Sequence, residues 1–541
     1  MNKNKERFFL AIIFVLAAFL RFFQLGNNPA SLYWDEAAIG LDALSISQTG
    51  KDMNNMFWLQ PVLGSYGDFK APVLIWATSL SVKFLGMNPF AIRLPVAIFS
   101  LLLIYLSYLL VKELLNFDHT LTKRYKLMPI LTAFILSISP WSTHFARIAF
   151  ESSFSVSFLL LAILFFLKAL KHKNFYFLIS TFFAVLAVYS YYSLRIIVPL
   201  LFVALVLIFF AKIKNKKAWL FSSIIVFVLS MLPMLNSPYY ERSQDYRLNN
   251  DNLIRRQRVI AESSQYLETY GSNLYSKLVY HRHLLALRDF IHNMLTHFSP
   301  NFLFLKGDSN LRQHSGYFGE FLLVSLPFYY LGLFIMIRNW KSKISQLLLA
   351  FLLISPIPAA MVYEVPHASR AIYLFIPMAT LIAWGLNEAW HMGKRLFFGL
   401  IVVLFLVNAV FYYSDYFIDY PKRSSEAWLY SYNQVGQYLR DHHKDFYSVE
   451  IDERYWLPRI FVYYYFPELI GQTRELKNAL LNNPINSFGL ADPFDYIYKE
   501  KDFNKKQAKF IYYESEIPDG FTVVEKFNFL NGDPSLVLVT K

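Results

Sequence analysis

Long apolar runs alternate with short polar connectors from residue 8 to residue 413. The runs are about 14 to 21 residues long and contain almost no Asp, Glu, Lys or Arg. A bilayer core about 30 Å thick is crossed by roughly 20 residues of helix, so the pattern predicts a polytopic membrane protein with about eleven spans. The predicted spans are 8–25, 94–111, 127–140, 154–167, 175–192, 196–211, 218–235, 317–337, 346–362, 371–388 and 396–413.

Three longer segments lie between or after these runs, at residues 26–93, 236–316 and 414–541. The first contains the stretch APVLIWATSLSVKFLG, which is apolar but short and includes Lys83. A stretch of this kind is typical of a helix that lies in the membrane interface instead of crossing the bilayer.

The segment 414–541 mixes helical and strand patterns. Residues 427–440 have helical spacing, and the runs SVEI, RIFVYYYF, KFIYYE, FTVVEKFNF and SLVLV are rich in strand-forming residues. NGD, between the last two runs, indicates a hairpin turn. The predicted fold class is therefore an all-α polytopic membrane domain at residues 1–413, followed by a small α/β domain at residues 414–541.

Composition and charge agree with a membrane protein and exclude several other classes. Hydrophobic residues make up 55% of the chain and charged residues only 17%, whereas soluble proteins average roughly 25% charged. The net charge of +14 comes from scattered connectors, so no nucleic-acid partner is predicted. The chain has no cysteine, which excludes disulfides, thiol nucleophiles and cysteine metal sites. The first run lacks a small-residue cleavage site and contains Arg21, so it is interpreted as a retained anchor.

Positive charges alternate between the two sides of the predicted spans. On one side, the connectors contain Lys3, Lys5, Arg7, Lys112, Lys123, Arg124, Lys126, Lys168, Lys171, Lys173, Lys212, Lys214, Lys216, Lys217, Arg338, Lys341, Lys343, Lys394 and Arg395. On the other side, the short connectors contain only Arg147, Arg195 and Arg370. The positive-inside rule then predicts a cytoplasmic N-terminus and three extracytoplasmic segments, the loops 26–93 and 236–316 and the segment 414–541.

Candidate reactive residues are concentrated in the predicted outer loops. The span centres contain almost no ionisable side chain, and Glu320 lies near a span end, whereas ion-coupled transporters usually need such groups at mid-depth. A carboxylate can deprotonate a hydroxyl, and Arg or Lys can hold a phosphate, so the loops suit transfer from a phospholipid-like donor. The candidates are Asp35, Glu36, Asp68, Lys70, His144, Arg147, Glu151, Lys306, Asp308, Arg312, His314, Glu364, His367 and Arg370.

These stretches resemble the GT-C membrane glycosyltransferases of the protein O-mannosyltransferase and aminoarabinose transferase type, which are glycosyltransferase family 39-like. The resemblance begins with the pair DE at Asp35 and Glu36 and with a DxKxP pattern that contains Asp68 and Lys70. It continues through RLPVAIFSLL, ARIAFESS, LFLKGDSNLRQHSG and PHASRAIYLFIP, in this order, within residues 1–413. One departure is Ala71, where the family often has a second proline.

The resemblance implies an inverting transfer of a sugar from a polyprenyl-phosphate carrier, at the outer face of a bacterial cytoplasmic membrane. No G-x-G-x-x-G or P-loop motif is present, as a lipid-linked donor needs no nucleotide fold. Asp35 would be the general base on the acceptor hydroxyl, and Glu36 would position the acceptor or a cation. Lys70, Arg147 and Arg370 would bind the carrier phosphate. Supporting roles would fall to Asp68, Glu151, Arg312, His314 and His367.

Simpler interpretations of the same residues stay open. Asp35 could be the N-cap of a helix over EAAIGLDALSIS, and Glu36, next in the chain, would then point about 100° away. Lys70, Arg147 and Arg370 could be interfacial anchors. His281, His283, His292 and His297 raise the question of zinc, but HExxH is absent and surface histidines are commoner.

The function also has alternatives. One alternative is a lipid-linked glycan ligase of the same fold. Another is a transporter or flippase for lipid-linked sugars, which would retain its function when Asp35 is neutralised. The sequence leaves open which sugar moves and whether the acceptor is a protein, a lipid or a wall polymer. It names no certain cofactor, and a divalent cation at Asp35 is an open question.

Overall fold

A computed structural model describes residues 3–66, 68–251, 257–271, 273–362, 364–392, 395–454, 458–469, 494, 497, 504–512 and 514–541. Parts of the predicted loop 236–316 and of the segment 414–541, together with Lys394, lie outside these ranges. The described chain is mostly helical. It divides into two compact units. The helical unit comprises Met1–Arg21, Ile98–Ala146 and Glu151–Tyr412, and the loop–tail unit comprises Phe22–Ala97, Arg147–Phe150 and Tyr413–Lys541.

The α-helices follow one another along the chain with mostly short connections. Their bounds are α1 Lys3–Phe22, α2 Trp34–Thr49, α3 Pro72–Leu85, α4 Pro89–Leu115, α5 His119–Arg124, α6 Met128–Ile138, α7 Pro140–Phe145, α8 Glu151–Lys171, α9 Tyr176–Ser190, α10 Leu194–Ile208, α11 Phe210–Ile213, α12 Lys217–Leu235, α13 Pro238–Asp251, α14 Gln257–Tyr270, α15 Leu274–Val279, α16 Arg282–Thr296, α17 Leu326–Arg338, α18 Lys343–Ile354, α19 Ile357–Ala360, α20 Phe375–Met392, α21 Arg395–Ser414, α22 Tyr420–Arg423, α23 Tyr430–His442 and α24 Arg459–Tyr465.

Every predicted span coincides with an apolar helix, namely α1, α4, α6, α8, α9, α10, α12, α17, α18, α20 and α21. Six segments of the described chain are long and apolar enough to cross a membrane by length and composition: Pro89–Leu115, Glu151–Lys171, Phe210–Leu235, Lys343–Ala360, Ile372–Met392 and Gly399–Arg423. The chain is therefore a multi-pass membrane protein. The total of eleven spans, the side on which each connector lies and the interfacial position of α3 stay predictions.

The predicted span 317–337 is too long at its N-terminal end. Its helix begins only at Leu326, after a short 3₁₀ turn at Leu323–Ser325. Before it, Gly319 approaches the backbone of Phe304 so closely that an added Cβ would come within 2.4 Å of its atoms. The backbone N–H groups of Glu320 and Phe321 donate to the carbonyl oxygens of Phe302 and Leu303, so Glu320 precedes the helix instead of forming part of it.

The end of the loop–tail unit contains a four-stranded sheet with the strand order β3-β4-β6-β5. Two strands of an earlier hairpin, β1 Leu63–Ser65 and β2 Asp68–Lys70, precede it in the chain. The sheet strands are β3 Phe446–Ile451, β4 Lys506–Ile511, β5 Thr522–Asn528 and β6 Pro534–Thr540. β3 and β4 are parallel, and the other neighbours are antiparallel.

Most of the predicted elements of residues 414–541 are confirmed. The helix predicted at 427–440 is α23, and NGD forms the β5–β6 turn with Gly532 at φ +92°. The run RIFVYYYF was predicted as a strand, and this is wrong, because Arg459–Tyr465 form the helix α24. Ile460, Phe461, Val462 and Tyr463 are all buried, and a continuous apolar run of this length does not distinguish a buried helix from a strand. The division at residue 413 stays a prediction.

Candidate active site

Asp35 lies at the start of α2, in the loop–tail unit. The helix begins at Trp34, and its N-cap is Tyr33, with extended backbone at φ −85° and ψ 161°. Asp35 is therefore the second residue of the helix, and the interpretation of Asp35 as the N-cap is wrong. The carboxylate of Glu36 makes the capping contact instead, because its Oε2 accepts the backbone N–H of Tyr33 at 3.3 Å. Asp35 therefore does not make the capping contact of this helix.

A lysine joins two carboxylates beside this helix start. Lys70 lies at the end of the β1–β2 hairpin, opposite Leu63 in its register. Its Nζ forms an ion pair with Asp35 and lies 3.3 Å from Oδ2 of Asp68. The Lys70 side chain is only 6% exposed, whereas Asp35 and Asp68 are 31% and 32% exposed. We call Asp35, Asp68 and Lys70 the acid–lysine group. It presents two accessible carboxylates around one fixed ammonium.

Glu36, the neighbour of Asp35, has entirely different surroundings. It is fully buried and forms a bidentate ion pair with Arg93, in which Nε donates to Oε1 and Nη2 donates to Oε2, both at 2.9 Å. The backbone N–H of Ala149 also donates to Oε1 at 2.9 Å. Its two oxygens thus already accept hydrogen bonds from inside the protein, and the carboxylate does not face solvent.

Arg93 connects Glu36 to the chain that precedes α2. Besides Glu36, its guanidinium donates to the carbonyl oxygens of Leu25 at 3.2 Å, Pro29 at 3.1 Å and Ser31 at 2.7 Å. A guanidinium has five N–H donors, and these five bonds use all of them. Arg93 therefore fixes residues 25–31 against the helix start. Sequence reasoning missed this role, because RLPVAIFSLL was interpreted only as the beginning of a span.

Arg147, a predicted phosphate ligand, is also buried in the loop–tail unit. Its Nη2 donates to the carbonyl oxygen of Asn28 at 3.0 Å, and its Cζ lies 5.1 Å from the ring centroid of Phe417 and 5.9 Å from that of Tyr416. The residue is 0% exposed. Hydrogen bonding and cation–π contact therefore hold the guanidinium in place.

The other predicted site residues lie in the helical unit, and most of them belong to two loops that contact each other. The loop 306–320 contacts the loop 364–371 through side chains that accept backbone N–H groups. Oδ2 of Asp308 accepts from Ala368 at 2.8 Å, and Oε1 of Gln313 accepts from Ser369 at 3.0 Å. We call these two segments the loop pair. The sequence did not predict that Gln313 and Asp308 join the two loops, because no local motif indicates such a contact.

Two buried histidines, His297 and His367, hold the backbone of the loop pair in place. The backbone N–H of His367 donates to Nε2 of His297 at 3.2 Å, and Nδ1 of His297 lies 2.8 Å from the carbonyl oxygen of Asn293. Burial lowers the pKa of His297 to about 4. Burial, together with the positive charge of Arg370, lowers the pKa of His367 well below its usual range. Both imidazoles are therefore uncharged at neutral pH, and they act as hydrogen-bonding groups.

Burial affects the acids of the loop pair as well. It raises the pKa of Asp308 to about 6, against the lowering effect of the N–H groups of Ala368 and Asn310. Glu320 is fully buried, and its Oε1 accepts the N–H of Asp308 at 3.3 Å. Sequence reasoning noted Glu320 only as a charge near a span end. The structure shows a carboxyl group that fixes the backbone at the start of the loop.

His314 and Arg312 are held within the loop itself. Nδ1 of His314 accepts the N–H of Gly316 at 3.0 Å, and the ring packs against Gly307. Gly307 has φ +71°, and a Cβ there would come within 2.6 Å of the ring, so only glycine fits. Nε of Arg312 donates to Asn310 at 3.1 Å, and Nε2 of His144 lies 2.9 Å from the carbonyl oxygen of Arg312.

Two predicted residues have more open positions. Glu151 is the first residue of α8, and Arg370 lies near the end of the loop 364–371; both side chains are partly buried. No group of three or more His, Asp or Glu that could hold a metal ion is found in the described ranges. The four histidines considered for zinc thus form no such group, and a divalent cation at Asp35 stays an untested question.

Comparisons with known proteins place this geometry in a wider context. Residues 69–235 match the family described as dolichyl-phosphate-mannose-protein mannosyltransferase. The structure matches apo ArnT from Cupriavidus metallidurans with a TM-score of 0.56 and 11% identity, over 98% of this chain and 97% of that chain. The chain has a GT-C glycosyltransferase fold. The match over residues 69–235 and the fold confirm the predicted resemblance to these enzymes.

Two further solved structures are similar at lower TM-scores. ArnT from Cupriavidus metallidurans bound to undecaprenyl phosphate matches with a TM-score of 0.46 and 10% identity, over 100% of this chain and 98% of that chain. The oligosaccharyltransferase AglB from Archaeoglobus fulgidus, in complex with an inhibitory peptide and a dolichol-phosphate, matches with a TM-score of 0.48 and 16% identity, over 86% of this chain and 64% of that chain. No curated protein sequence matches this chain significantly.

Proposed function

We propose that this protein is an inverting glycosyltransferase that moves a sugar from a polyprenyl-phosphate carrier to an acceptor hydroxyl. The observation that supports this most directly is the acid–lysine group, which offers an accessible carboxylate next to a fixed ammonium. The matched family is named for a dolichyl-phosphate-linked sugar donor, which supports a lipid phosphate as the leaving group. The GT-C fold supports the same class of reaction.

In the proposed reaction, the oxygen of the acceptor hydroxyl attacks the anomeric carbon while Asp35 accepts the proton of that hydroxyl. The new bond joins that oxygen to the anomeric carbon, while the bond from the anomeric carbon to the phosphate oxygen breaks and leaves its electron pair on the phosphate. Attack opposite the leaving phosphate inverts the anomeric centre. Lys70 stabilises the charge that develops on the phosphate, because an ammonium held in place needs no reorganisation during the reaction.

Further roles are proposed for the remaining predicted residues. Arg147 and Arg370 are proposed as further phosphate contacts, and a phosphate would reach Arg147 only after its contacts with Asn28 and Phe417 open. Glu36 is a positioning residue that acts through Arg93. Asp68 holds Lys70, and supporting roles are proposed for the following residues of the helical unit: Glu151, Arg312, His314 and His367.

Release of label from a lipid-linked sugar tests the proposal without a guess about the donor. Radiolabelled lipid-linked sugars are extracted from cells and offered to membranes that contain the unaltered protein or Asp35→Asn at equal amounts. Asn keeps the size of the side chain but cannot accept the proton. We expect release at least about 10²-fold slower with the variant, since a general base contributes that much or more. Equal release by both proteins would overturn the proposal, and the labelled product would identify the acceptor.

The outer-face location is a separate claim, and the absence of cysteine makes it testable. We propose that the segment 414–541 and the acid–lysine group lie outside a bacterial cytoplasmic membrane. A single cysteine in place of exposed Asp519 should react with a membrane-impermeant maleimide in intact cells, whereas one in place of exposed Lys214 should react only after lysis. The opposite labelling pattern would contradict this orientation.

A further inference from the structure

An apolar cavity of about 420 Å³ lies among α8, α9, α10 and α12 in the helical unit. Aromatic and aliphatic side chains form most of its wall, among them Phe166, Phe177, Phe202 and Phe227. Three hydroxyl groups interrupt this wall, and those of Ser180 and Thr181 already donate to backbone carbonyl oxygens. The hydroxyl of Ser223 is buried, and within the described part of the chain it has no hydrogen-bond partner. A buried donor without a partner is costly, so the cavity is suited to an apolar molecule that carries one acceptor.

The cavity begins close to the ends of its helices. Phe177 is the second residue of α9, Leu207 is the second-last residue of α10, and Leu220 is the fourth residue of α12. From Leu207 to Val198 the wall extends about 14 Å along α10, at 1.5 Å of rise per residue. The cavity is therefore long and reaches into the membrane-spanning region from one end of the bundle.

The connectors at that end are strongly positive. Residues 166–176 and 207–220 contain seven lysines and no Asp or Glu: Lys168, Lys171, Lys173, Lys212, Lys214, Lys216 and Lys217. Lys173, Lys212, Lys214 and Lys217 are exposed. Within the described ranges, Glu113 forms an ion pair with this cluster, and its Oε2 lies 3.3 Å from Nζ of Lys171. Most of the positive charge is thus available to an anion at the mouth of the cavity.

We propose that this cavity binds an anionic phospholipid of the bilayer. One acyl chain fills the apolar cavity, the ester carbonyl accepts the hydrogen bond of Ser223, and the phosphate contacts the exposed lysines. Basic pockets between membrane helices bind the headgroups of anionic lipids in this way. The occupant is a phospholipid and not the sugar carrier, because the proposed reaction already assigns the carrier phosphate to the acid–lysine group.

The test measures lipid binding to the full-length protein in detergent by native mass spectrometry. Phosphatidylglycerol and phosphatidylcholine with identical acyl chains are titrated onto the unaltered protein and onto a variant with Lys173→Gln, Lys212→Gln, Lys214→Gln and Lys217→Gln. The four side chains are exposed, so the variant should fold normally. We expect phosphatidylglycerol to bind the variant at least about tenfold more weakly than the unaltered protein, and the affinity for phosphatidylcholine to change little.

A matched control removes the same charge from another set of connectors, through Lys3→Gln, Lys5→Gln, Lys123→Gln and Lys126→Gln, all at exposed positions. This control should bind phosphatidylglycerol like the unaltered protein. Ser223→Leu should fill the cavity and weaken the binding of phosphatidylglycerol, although all the lysines remain. Equal losses in the two lysine variants would overturn the proposal, as would unchanged binding to the Ser223 variant. Undecaprenyl phosphate is titrated in the same way. If it binds more tightly than phosphatidylglycerol and loses this affinity in the variant that lacks Lys173, Lys212, Lys214 and Lys217, the cavity belongs to the carrier and the proposal is overturned.

Discussion

The carboxylates of the acid–lysine group and those of the loop pair differ in what surrounds them. Asp35 and Asp68 are about one-third exposed and share one ammonium. Asp308 and Glu320 are 4% and 0% exposed, and in the described chain both accept backbone N–H groups and neither forms an ion pair. An acid of the first kind can meet a substrate, whereas one of the second kind fixes the backbone.

This difference also separates two consecutive residues. Asp35 and Glu36 look like one catalytic pair in the sequence, but Glu36 resembles the acids of the loop pair, because it is buried and its oxygens accept from Arg93 and two backbone groups. Burial and hydrogen-bond partners, more than position in a motif, therefore indicate which acid supports the site and which acts in it.

The largest expected effect comes from breaking the buried pair beside Asp35. Glu36→Gln leaves Arg93 buried with its charge uncompensated, which costs about 3–5 kcal/mol of stability when one partner of such a pair is removed. Thermal unfolding of the purified protein in detergent measures the loss. The matched control is Glu468→Gln, which removes the partner of Arg440 in an exposed pair of the same unit and should change stability by less than about 1 kcal/mol. Equal effects of the two substitutions would contradict the assignment of Glu36 to a buried support.

The next effect concerns the fixed ammonium. Lys70→Gln removes the charge proposed to stabilise the departing phosphate and should lower kcat/KM for sugar transfer by about 10²-fold. Lys51→Gln, an exposed lysine of the same unit, is the control and should leave the rate unchanged. If the Lys70 variant transferred sugar at the normal rate, the acid–lysine group would be a structural ion pair and the contrast with the loop pair would disappear.

A smaller effect should appear in the loop pair as a pH dependence of stability. The pKa of His297 is lowered to about 4 from an ordinary value near 6.5, so its uncharged form is favoured by folding. Its contribution is complete above pH 6.5 and is lost as the pH falls toward 4, with about 2 kcal/mol lost by pH 5. Asp308, with a pKa raised to about 6, changes stability in the opposite direction as it takes up a proton.

Comparison with His297→Gln separates these two contributions. The variant should be less stable than the unaltered protein at pH 7.5, and the difference should shrink as the pH is lowered to 5, because only the unaltered protein contains the imidazole. Thermal unfolding temperatures at each pH provide the measurement. A difference that stays constant over this range would show that His297 does not titrate with a lowered pKa.

Much of the fold was predictable because the thickness of the bilayer sets the length of the apolar runs. Apolar runs near 18 residues have few structural alternatives, and each predicted span contains a helix. The errors lie where tertiary contacts decide. Gly319 packs closely on Phe304, and α17 begins only after this contact. RIFVYYYF has the composition of a strand but forms the buried helix α24.

The candidate site was predictable in part. The motif brings Asp35 together with Lys70 and Asp68 through a hairpin that the sequence did not reveal. Arg93, Gln313 and His297 could not be found, because their roles are contacts with backbone groups far away in the chain, and local patterns contain no signal for these. The alternative interpretation of Asp35 as the cap of α2 failed for a similar reason, since either carboxylate could have accepted a backbone N–H.

The central claim is that Asp35, and not merely any accessible acid next to Lys70, is the base. The most direct measurement compares initial rates of sugar release from the labelled lipid for Asp35→Asn and Asp68→Asn, which alter side chains of nearly equal exposure on the same lysine. We predict that Asp35→Asn loses at least about 10²-fold in rate, whereas Asp68→Asn stays within about tenfold of the unaltered protein. Equal losses in the two variants, or a larger loss with Asp68→Asn, would contradict the account.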